Sequence, residues 1–477
     1  MYKIDFNKKI WIHFIGIGGV SMSGLALLLH DRGFKITGSD ATESVITNNL
    51  RKAGIEVNIP QSKNNIVDGI DLVVYTAAIS SDNEEFISAK DKNIPMLVRS
   101  QFLGEVMENY KNVITISGTH GKTTTTSMIS EITLAANLDP TITVGGMLSS
   151  IGGNIRIGGM DYFVAEACEY QNSFHDFHPT SAVILNIEED HLDFFKDEED
   201  IRNSFKKFAM LLSKDQYLII NKNITKFDEF IENLNCNIIT YNGVNRELRI
   251  DETNKANADY SANNIVYDEE YRPSFDVYYH GDKIIENLKL KVRGSASISS
   301  ALAAIAVTRN YNIDVNIIKN ALNGFDGVGR RFESKGNING ALVIDDYAHN
   351  PAEVNSVISI AKNIVKNKLW LVYQPHTYSR TKTFLNEFAD KLSNVDNLIL
   401  TDIYAAREKN TYNISSKDII DVINNKYKNK NCNAVYIEDS NNFEKIKAYL
   451  REHVKDGDLV LIVGAGNIEK LANNILN

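Results

Sequence analysis

The sequence predicts an α/β protein of three domains, and three observations carry that prediction. Apolar, β-rich runs alternate with helical stretches along the whole chain. Two of these runs, "IWIHFIGIGG" and "NVITISGTHGKTTTT", end in glycines and open a helix. The chain has 477 residues, more than one ordinary core organises.

The first unit, residues 1–109, opens with the apolar strand ending at Gly16-Ile17-Gly18-Gly19. "VSMSGLALLLHDRG" reads as a helix closed by Gly33, "FKITGSD" and "DLVVYTAAIS" as strands, and "SQFLGEVMENYK" as the last helix. The second unit, residues 110–325, repeats strand, glycine turn and helix at "NVITISGTHGKTTTTSMISEI". It continues through the strands "YFVAEACEY" and "SAVILNIEEDH" to the helix "SISSALAAIAVTRNYN". Within it, residues 240–292 ("YNGVNRELRI", "SFDVYYHGDKIIENLKLKV") read as an added antiparallel β segment. The third unit, residues 326–477, carries the strands "GALVIDDYA", "LWLVYQPH", "NLILTDIY" and "DLVLIVGAGNI".

Composition narrows the function classes. Hydrophobic residues make up 43% and charged residues 23%, as in soluble globular proteins. The net charge of −10 argues against a nucleic-acid partner, which needs a basic surface, but leaves room for local basic pockets. Cys168, Cys236 and Cys432 are far apart and form no CxxC pair, so a reducing cytoplasm is the simplest reading. No signal peptide is expected, because the apolar run near the N-terminus is short and runs straight into glycines, and no membrane partner, because no run of about 18 uninterrupted apolar residues occurs.

"SGTHGKTT", Ser117 to Thr124, has the chemistry of a phosphate cradle. Gly118 and Gly121 let backbone N–H groups turn inward, and a helix N-terminus follows. Lys122 would reach the β- and γ-phosphates, and the Thr123 hydroxyl would sit on Mg²⁺. Gly16, Gly18 and Gly19 form a second turn of this kind, although Ser21 stands where a dinucleotide motif has its last glycine. Asp40 lies about where a ribose-binding acid would be. Glu166 and His191 each follow an apolar strand and could hold Mg²⁺ beside the cradle. Glu169, Glu188, Glu189 and Asp190 have equivalent chemistry, and spacing does not choose among them. Asp345, Asp346, His349, His376 and Arg380 follow two strands that should end on one face.

The blocks "HFIGIGGVSMSGLA", "GTHGKTTTT", "EACEYQNSFHDFHP", "LNIEEDHLDFF", "GVGRRFE", "DDYAHNP", "QPHTYSRT", "TDIYAARE" and "VGAGNI", in that order, resemble the Mur ligases. The resemblance spans essentially the whole chain. It implies an N-terminal Rossmann-like UDP-binding domain, a central P-loop ATPase domain with a mostly parallel sheet, and a C-terminal Rossmann-like ligase domain. It also implies a cytoplasmic, ATP- and Mg²⁺-dependent enzyme, monomeric or a weak homodimer. Its expected reaction joins L-alanine to the muramoyl carboxylate of UDP-N-acetylmuramate through an acyl phosphate, in peptidoglycan precursor synthesis.

By the same resemblance, Ser117, Gly118, Thr119, His120, Gly121, Lys122, Thr123, Thr124, Arg331, Asp345 and Asp346 belong to ATP. Gly16, Gly18, Gly19, Asp40 and His376 belong to the UDP-sugar. Thr123, Glu166 and His191 belong to the metal, and Lys122, His191, His349 and Arg380 to catalysis. Three departures from the family pattern stand out. Ala296 and Ser297 replace a His-Asn pair that helps hold adenosine, Asn350 replaces a second His, and Ala405 and Arg407 replace the commoner Pro and Gly. Two other readings share most motifs: a recycling ligase that adds a whole tripeptide to UDP-N-acetylmuramate, and a weakened P-loop ATPase or binding paralogue.

Overall fold

The computed structural model describes residues 2–191, 194–243, 257–406, 408–439 and 442–476. Arg407 and most of "YNGVNRELRI" lie outside them. Among the described residues no helix is long and apolar enough to cross a membrane.

Among the described residues three sheets organise the chain. The first holds β1 (Trp11–Ile15), β2 (Lys35–Ser39), β3 (Glu56–Asn58), β4 (Leu72–Tyr75) and β5 (Met96–Val98), in the order β3-β2-β1-β4-β5. Every pair is parallel. Ile12, Phe14, Leu72 and Val74 on one face and Ile15 and Val73 on the other are fully buried, as expected of strands covered on both faces. The chain leaves β1 in opposite directions toward β2 and β4, so the Gly16 turn sits at the switch point where such sheets open a crevice. The helix Val20–Asp31 ends at Gly33, whose φ of +85° only glycine adopts readily.

The second sheet has ten strands. They are β6 (Asn112–Ser117), β7 (Thr141–Leu148), β8 (Gly153–Arg156), β9 (Tyr162–Glu166), β10 (Ser181–Ile184), β11 (Tyr217–Asn221), β12 (Asn237–Tyr241), β13 (Tyr260–Tyr267), β14 (Pro273–Tyr279) and β15 (Asp282–Lys289). Their order is β15-β14-β13-β12-β11-β10-β6-β9-β7-β8. β6, the strand that leads into "GTHGKT", lies between β9 and β10 and is parallel to both, so the three strand ends come out side by side. The helices Lys122–Ala135 and Ser295–Asn310 pack against each other. The expected β-rich segment is an extension of this sheet. β13 joins β12 in parallel, and β14 and β15 pair as an antiparallel hairpin.

The third sheet holds β16 (Glu333–Ile338), β17 (Ala341–Asp346), β18 (Leu369–Tyr373), β19 (Asn397–Leu400), β20 (Asn433–Tyr436) and β21 (Leu459–Val463), in the order β16-β17-β21-β18-β19-β20. β16 and β17 are antiparallel and joined by Asn339-Gly340, both at positive φ, which is the geometry of a tight hairpin turn. The other pairs are parallel. The chain forms two compact units. One comprises residues 1–265, 274–290 and 295–325, and the other residues 266–273, 291–294 and 326–477.

Candidate active site

The first of the two compact units contains the turn after β6. Gly118 has φ +148° and Gly121 φ +84°. A Cβ on Gly118 would stand 2.8 Å from the Leu185 Cβ, so only glycine lets the loop lie this close to the end of β10. The helix Lys122–Ala135 starts directly after Gly121, and no side chain caps it. Its first N–H groups are therefore left for an anion.

A second loop holds this turn in shape. Asn186 accepts the His120 N–H at 2.8 Å and donates to the His120 carbonyl at 3.0 Å. The Thr119 hydroxyl accepts the Glu188 N–H at 2.9 Å, and the His120 Nε2 lies 3.6 Å from the Glu188 carboxylate. Sequence reasoning missed Asn186, since an asparagine after a strand is a common turn residue.

Lys122 is bound on several sides. Its Nζ lies 2.9 and 3.1 Å from the two Glu169 oxygens and 2.5 Å from the Gly118 carbonyl. Burial works against the ammonium, but Glu169, Cys168 and Glu166 outweigh it and raise the pKa above the usual lysine value. Glu169 itself is 2% exposed. Thr123 Oγ1 lies 3.2 Å from Glu166, which also accepts the Gly145 N–H. His191 sits at φ +52°, its Nε2 is 3.8 Å from Glu169, and its ring centroid is 4.6 Å from that of Tyr170. The structure thus separates the carboxylates that spacing left equivalent. Glu166 faces Thr123, whereas Glu169 bridges Lys122 and His191.

The donor set can be tested against Mg²⁺ and a triphosphate. Among the described residues no three or more His, Cys, Asp or Glu side chains form a metal cage. A hydroxyl and a carboxylate 3.2 Å apart are what Mg²⁺ uses when phosphates and water complete its shell. The residues therefore fit an ion that arrives with its phosphates. Beyond the loop, Ser300 Oγ would be 3.7 Å from a Cβ on Gly121, and Ser297 is buried while Ala296 is exposed.

In the first sheet, Gly16 has φ +82°. Asp40 Oδ2 accepts the Gly18 N–H at 2.8 Å, and its Oδ1 accepts the Ala41 N–H at 2.8 Å. Asp40 therefore braces the glycine turn. A Cβ on Gly18 would lie 2.8 Å from that carboxylate oxygen. Arg99, which the sequence did not single out, donates to Ser21 Oγ at 3.2 Å beside the same turn.

The second compact unit gathers the other candidates. Arg380 Nη1 lies 3.1 Å from His376 Nδ1, and the His349 and His376 rings are 6.0 Å apart. Burial, with Arg380 and His349 nearby, pushes the His376 pKa down to about 4, so the ring is neutral at pH 7. Asp345 and Asp346 precede His349 by a few residues in the chain. Both end β17, which is flanked by β16 and β21, and both are buried. Asp346 accepts the Phe332 N–H at 2.7 Å and the Ala348 N–H at 2.8 Å. Asp345 accepts no hydrogen bond and has Arg330 Nε at 3.4 Å. Burial raises both carboxyl pKa values to about 6. Arg330 and Arg331 both stand over Tyr347, with their guanidinium carbons 5.0 and 5.5 Å from the ring centroid. Arg330 is further held by Glu469 at 3.0 Å, an anchoring the sequence did not reveal.

The cysteines are free, and burial raises the pKa of all three thiols, that of Cys432 to about 11.

Three family models match in order along the chain: the Mur ligase catalytic domain over residues 11–111, the Mur ligase middle domain over 116–308, and the Mur ligase glutamate ligase domain over 330–466. The chain belongs to the Mur ligase family. Among curated members, the UDP-N-acetylmuramate–L-alanine ligase of Lachnospira eligens is 51% identical over 476 residues, covering 100% of both chains. The enzyme of that name from Agathobacter rectalis is 50% identical with the same coverage. Among solved Mur ligase structures, the UDP-N-acetylmuramate-alanine ligase of Thermotoga maritima matches with a TM-score of 0.78 and 27% identity over 98% of each chain. A murein peptide ligase from Psychrobacter arcticus matches with a TM-score of 0.69 at 23% identity over 98% of each chain, a likeness of fold.

Proposed function

We propose that this Mur ligase joins L-alanine to the muramoyl carboxylate of UDP-N-acetylmuramate at the expense of ATP. The observation that carries the reading is full-length identity of about half to relatives named for that reaction. The recycling tripeptide ligase has less support, since the murein peptide ligase shares the fold at 23% identity. The proposed domain boundaries remain 1–109, 110–325 and 326–477.

The proposed chemistry follows from charge. A carboxylate oxygen of the sugar attacks the γ-phosphorus of ATP, ADP leaves, and the alanine amine then attacks the acyl carbon as phosphate departs. The carboxylate and the triphosphate are anions and repel each other, so cations must offset the repulsion. Lys122 and the uncapped helix N-terminus hold the phosphates from one side. Thr123, Glu166 and His191 would hold Mg²⁺, the last of them 3.8 Å from Glu169. Mg²⁺, when bound, supplies a Lewis-acidic charge on the phosphate oxygens. Arg331, with Asp345 and Asp346 setting the loop around it, is assigned to ATP. Gly16, Gly18, Gly19, Asp40 and His376 are assigned to the UDP-sugar, and His349 and Arg380 to the carboxylate and incoming amine. A neutral His376 leaves Arg380 as the charged group of that pair.

Phosphate release, measured while omitting one component at a time, tests the reading. Release should require ATP, UDP-N-acetylmuramate and alanine together. Release independent of the UDP-sugar would indicate the ATPase paralogue, and release with tripeptide but not alanine would indicate the recycling ligase.

A further inference from the structure

Glu169 has no part in the reaction as set out above, yet it is the most committed side chain at the phosphate loop. It is 2% exposed and grips the Lys122 ammonium with both oxygens, at 2.9 and 3.1 Å. Its other neighbour is His191, at 3.8 Å. Directly after it, Gln171 and Asn172 adopt φ of +54° and +56° in succession. Adjacent left-handed residues that are not glycine carry a backbone cost, and such cost is retained where the surrounding structure enforces it. Asn172 is tied down by the Ser204 hydroxyl, so the turn that presents Glu169 is fastened at its far end.

The Lys122 side chain is only 17% exposed, and an ammonium that buried needs a counter-charge. Glu169 supplies one. A triphosphate approaching Lys122 therefore meets a carboxylate that already occupies its partner. Like charges at such range in a partly dehydrated site repel strongly, and a divalent cation arriving with the phosphates offsets that repulsion. Glu166 stands differently, since it faces the Thr123 hydroxyl and the Gly145 N–H.

We propose that Glu169 makes nucleotide binding conditional on the metal. It competes with bare phosphates for Lys122 and thereby rejects metal-free ATP, but not Mg²⁺-bound ATP. This rests on the assignment of the loop to ATP and Mg²⁺. A carboxylate that merely stabilised the loop would alter both nucleotide forms alike.

The test is calorimetric titration of the full chain with ATP, once in saturating Mg²⁺ and once in excess chelator. The quantity read is the ratio of the two dissociation constants. Glu169→Gln should lower that ratio roughly tenfold, by tightening metal-free binding, which is the size of a half-screened like-charge contact. Glu169→Asp keeps the charge and should keep the wild-type ratio. Thermal melts of both variants establish that they fold. An unchanged ratio in Glu169→Gln, or weaker metal-free binding by it, overturns the inference while leaving the ATP site standing. If Lys122→Ala binds Mg²⁺-ATP as tightly as wild type, the assignment of the loop itself fails, and the inference with it.

Discussion

Asn186 grips His120 by both of its backbone groups, taking its N–H at 2.8 Å and giving to its carbonyl at 3.0 Å. One amide side chain thus does for the phosphate loop what a neighbouring strand does for a strand edge. Asn186→Ala leaves both His120 groups without this partner and should cost about 1–3 kcal/mol of stability. Asn186→Asp keeps the acceptor and loses the donor, so it should fall between. Urea unfolding gives the stability, and initial rates should show the ATP KM rising more than the UDP-sugar KM. Equal rises in both would mean that the loop does not depend on this contact.

Lys122→Ala should abolish ligation, because the charge on the β- and γ-phosphates is removed. It should also destabilise the protein by about 3–5 kcal/mol, the cost of leaving a buried carboxylate such as Glu169 unpaired. Adding Glu169→Gln should recover most of that stability and none of the activity. Unfolding curves and phosphate release on the single and double variants separate the two effects.

Restoring the family pair by Ala296→His with Ser297→Asn should lower the ATP KM by about 5–30-fold, if both side chains regain a neutral hydrogen bond. Ala296 is exposed and admits a larger side chain, whereas Ser297 is 3% exposed and its neighbours must give. Ala296→His alone should therefore be well tolerated. An ATP KM that stays the same or rises would show that other groups already hold the adenosine.

The second compact unit should respond to acid in two opposed ways. His376 titrates near 4 when folded but near its ordinary ~6.5 when unfolded, so the unfolded chain binds the extra proton and stability falls as pH drops between those values. Asp345 titrates near 6 when folded and near ~3.9 when unfolded, so the folded chain binds the extra proton and stability rises over that range. Between about pH 7 and about pH 5, His376→Gln should lose less melting temperature than wild type, and Asp345→Asn should lose more.

Much of this architecture was legible because its signals are local. Glycines at positive φ after apolar strands mark Gly16, Gly118 and Gly121 as turns that open helices. In the third sheet β17, β18, β19 and β21 announce themselves as apolar runs because both faces are covered, whereas the edge strands β16 and β20 are more polar and exposed and escape notice. From spacing, the division of labour between Glu166 and Glu169 was not legible, and only the family resemblance favoured Glu166 for the metal. Both lie in "EACE", and only the path of the chain after β9 sends one toward Thr123 and the other over Lys122. The burial of Asp345 and Asp346 was hidden for a related reason. Acidic residues at a strand end usually face solvent, but β17 lies inside the sheet, between β16 and β21, and both side chains are buried. Position 40 shows a milder case, in which the carboxylate also accepts the Gly18 and Ala41 N–H groups, a bracing role that spacing does not reveal.

The three thiols, each held protonated by burial, have a practical corollary. Maleimides attack thiolates, so a cysteine placed on the surface should react well before any native one does. Val45 in one compact unit is 77% exposed and Tyr412 in the other is 47% exposed. A dye pair at those two positions could be installed without first deleting Cys168, which lies beside Lys122 and Glu169. Energy transfer between the dyes would then report, molecule by molecule, whether the two units change their separation as ATP and the UDP-sugar are added.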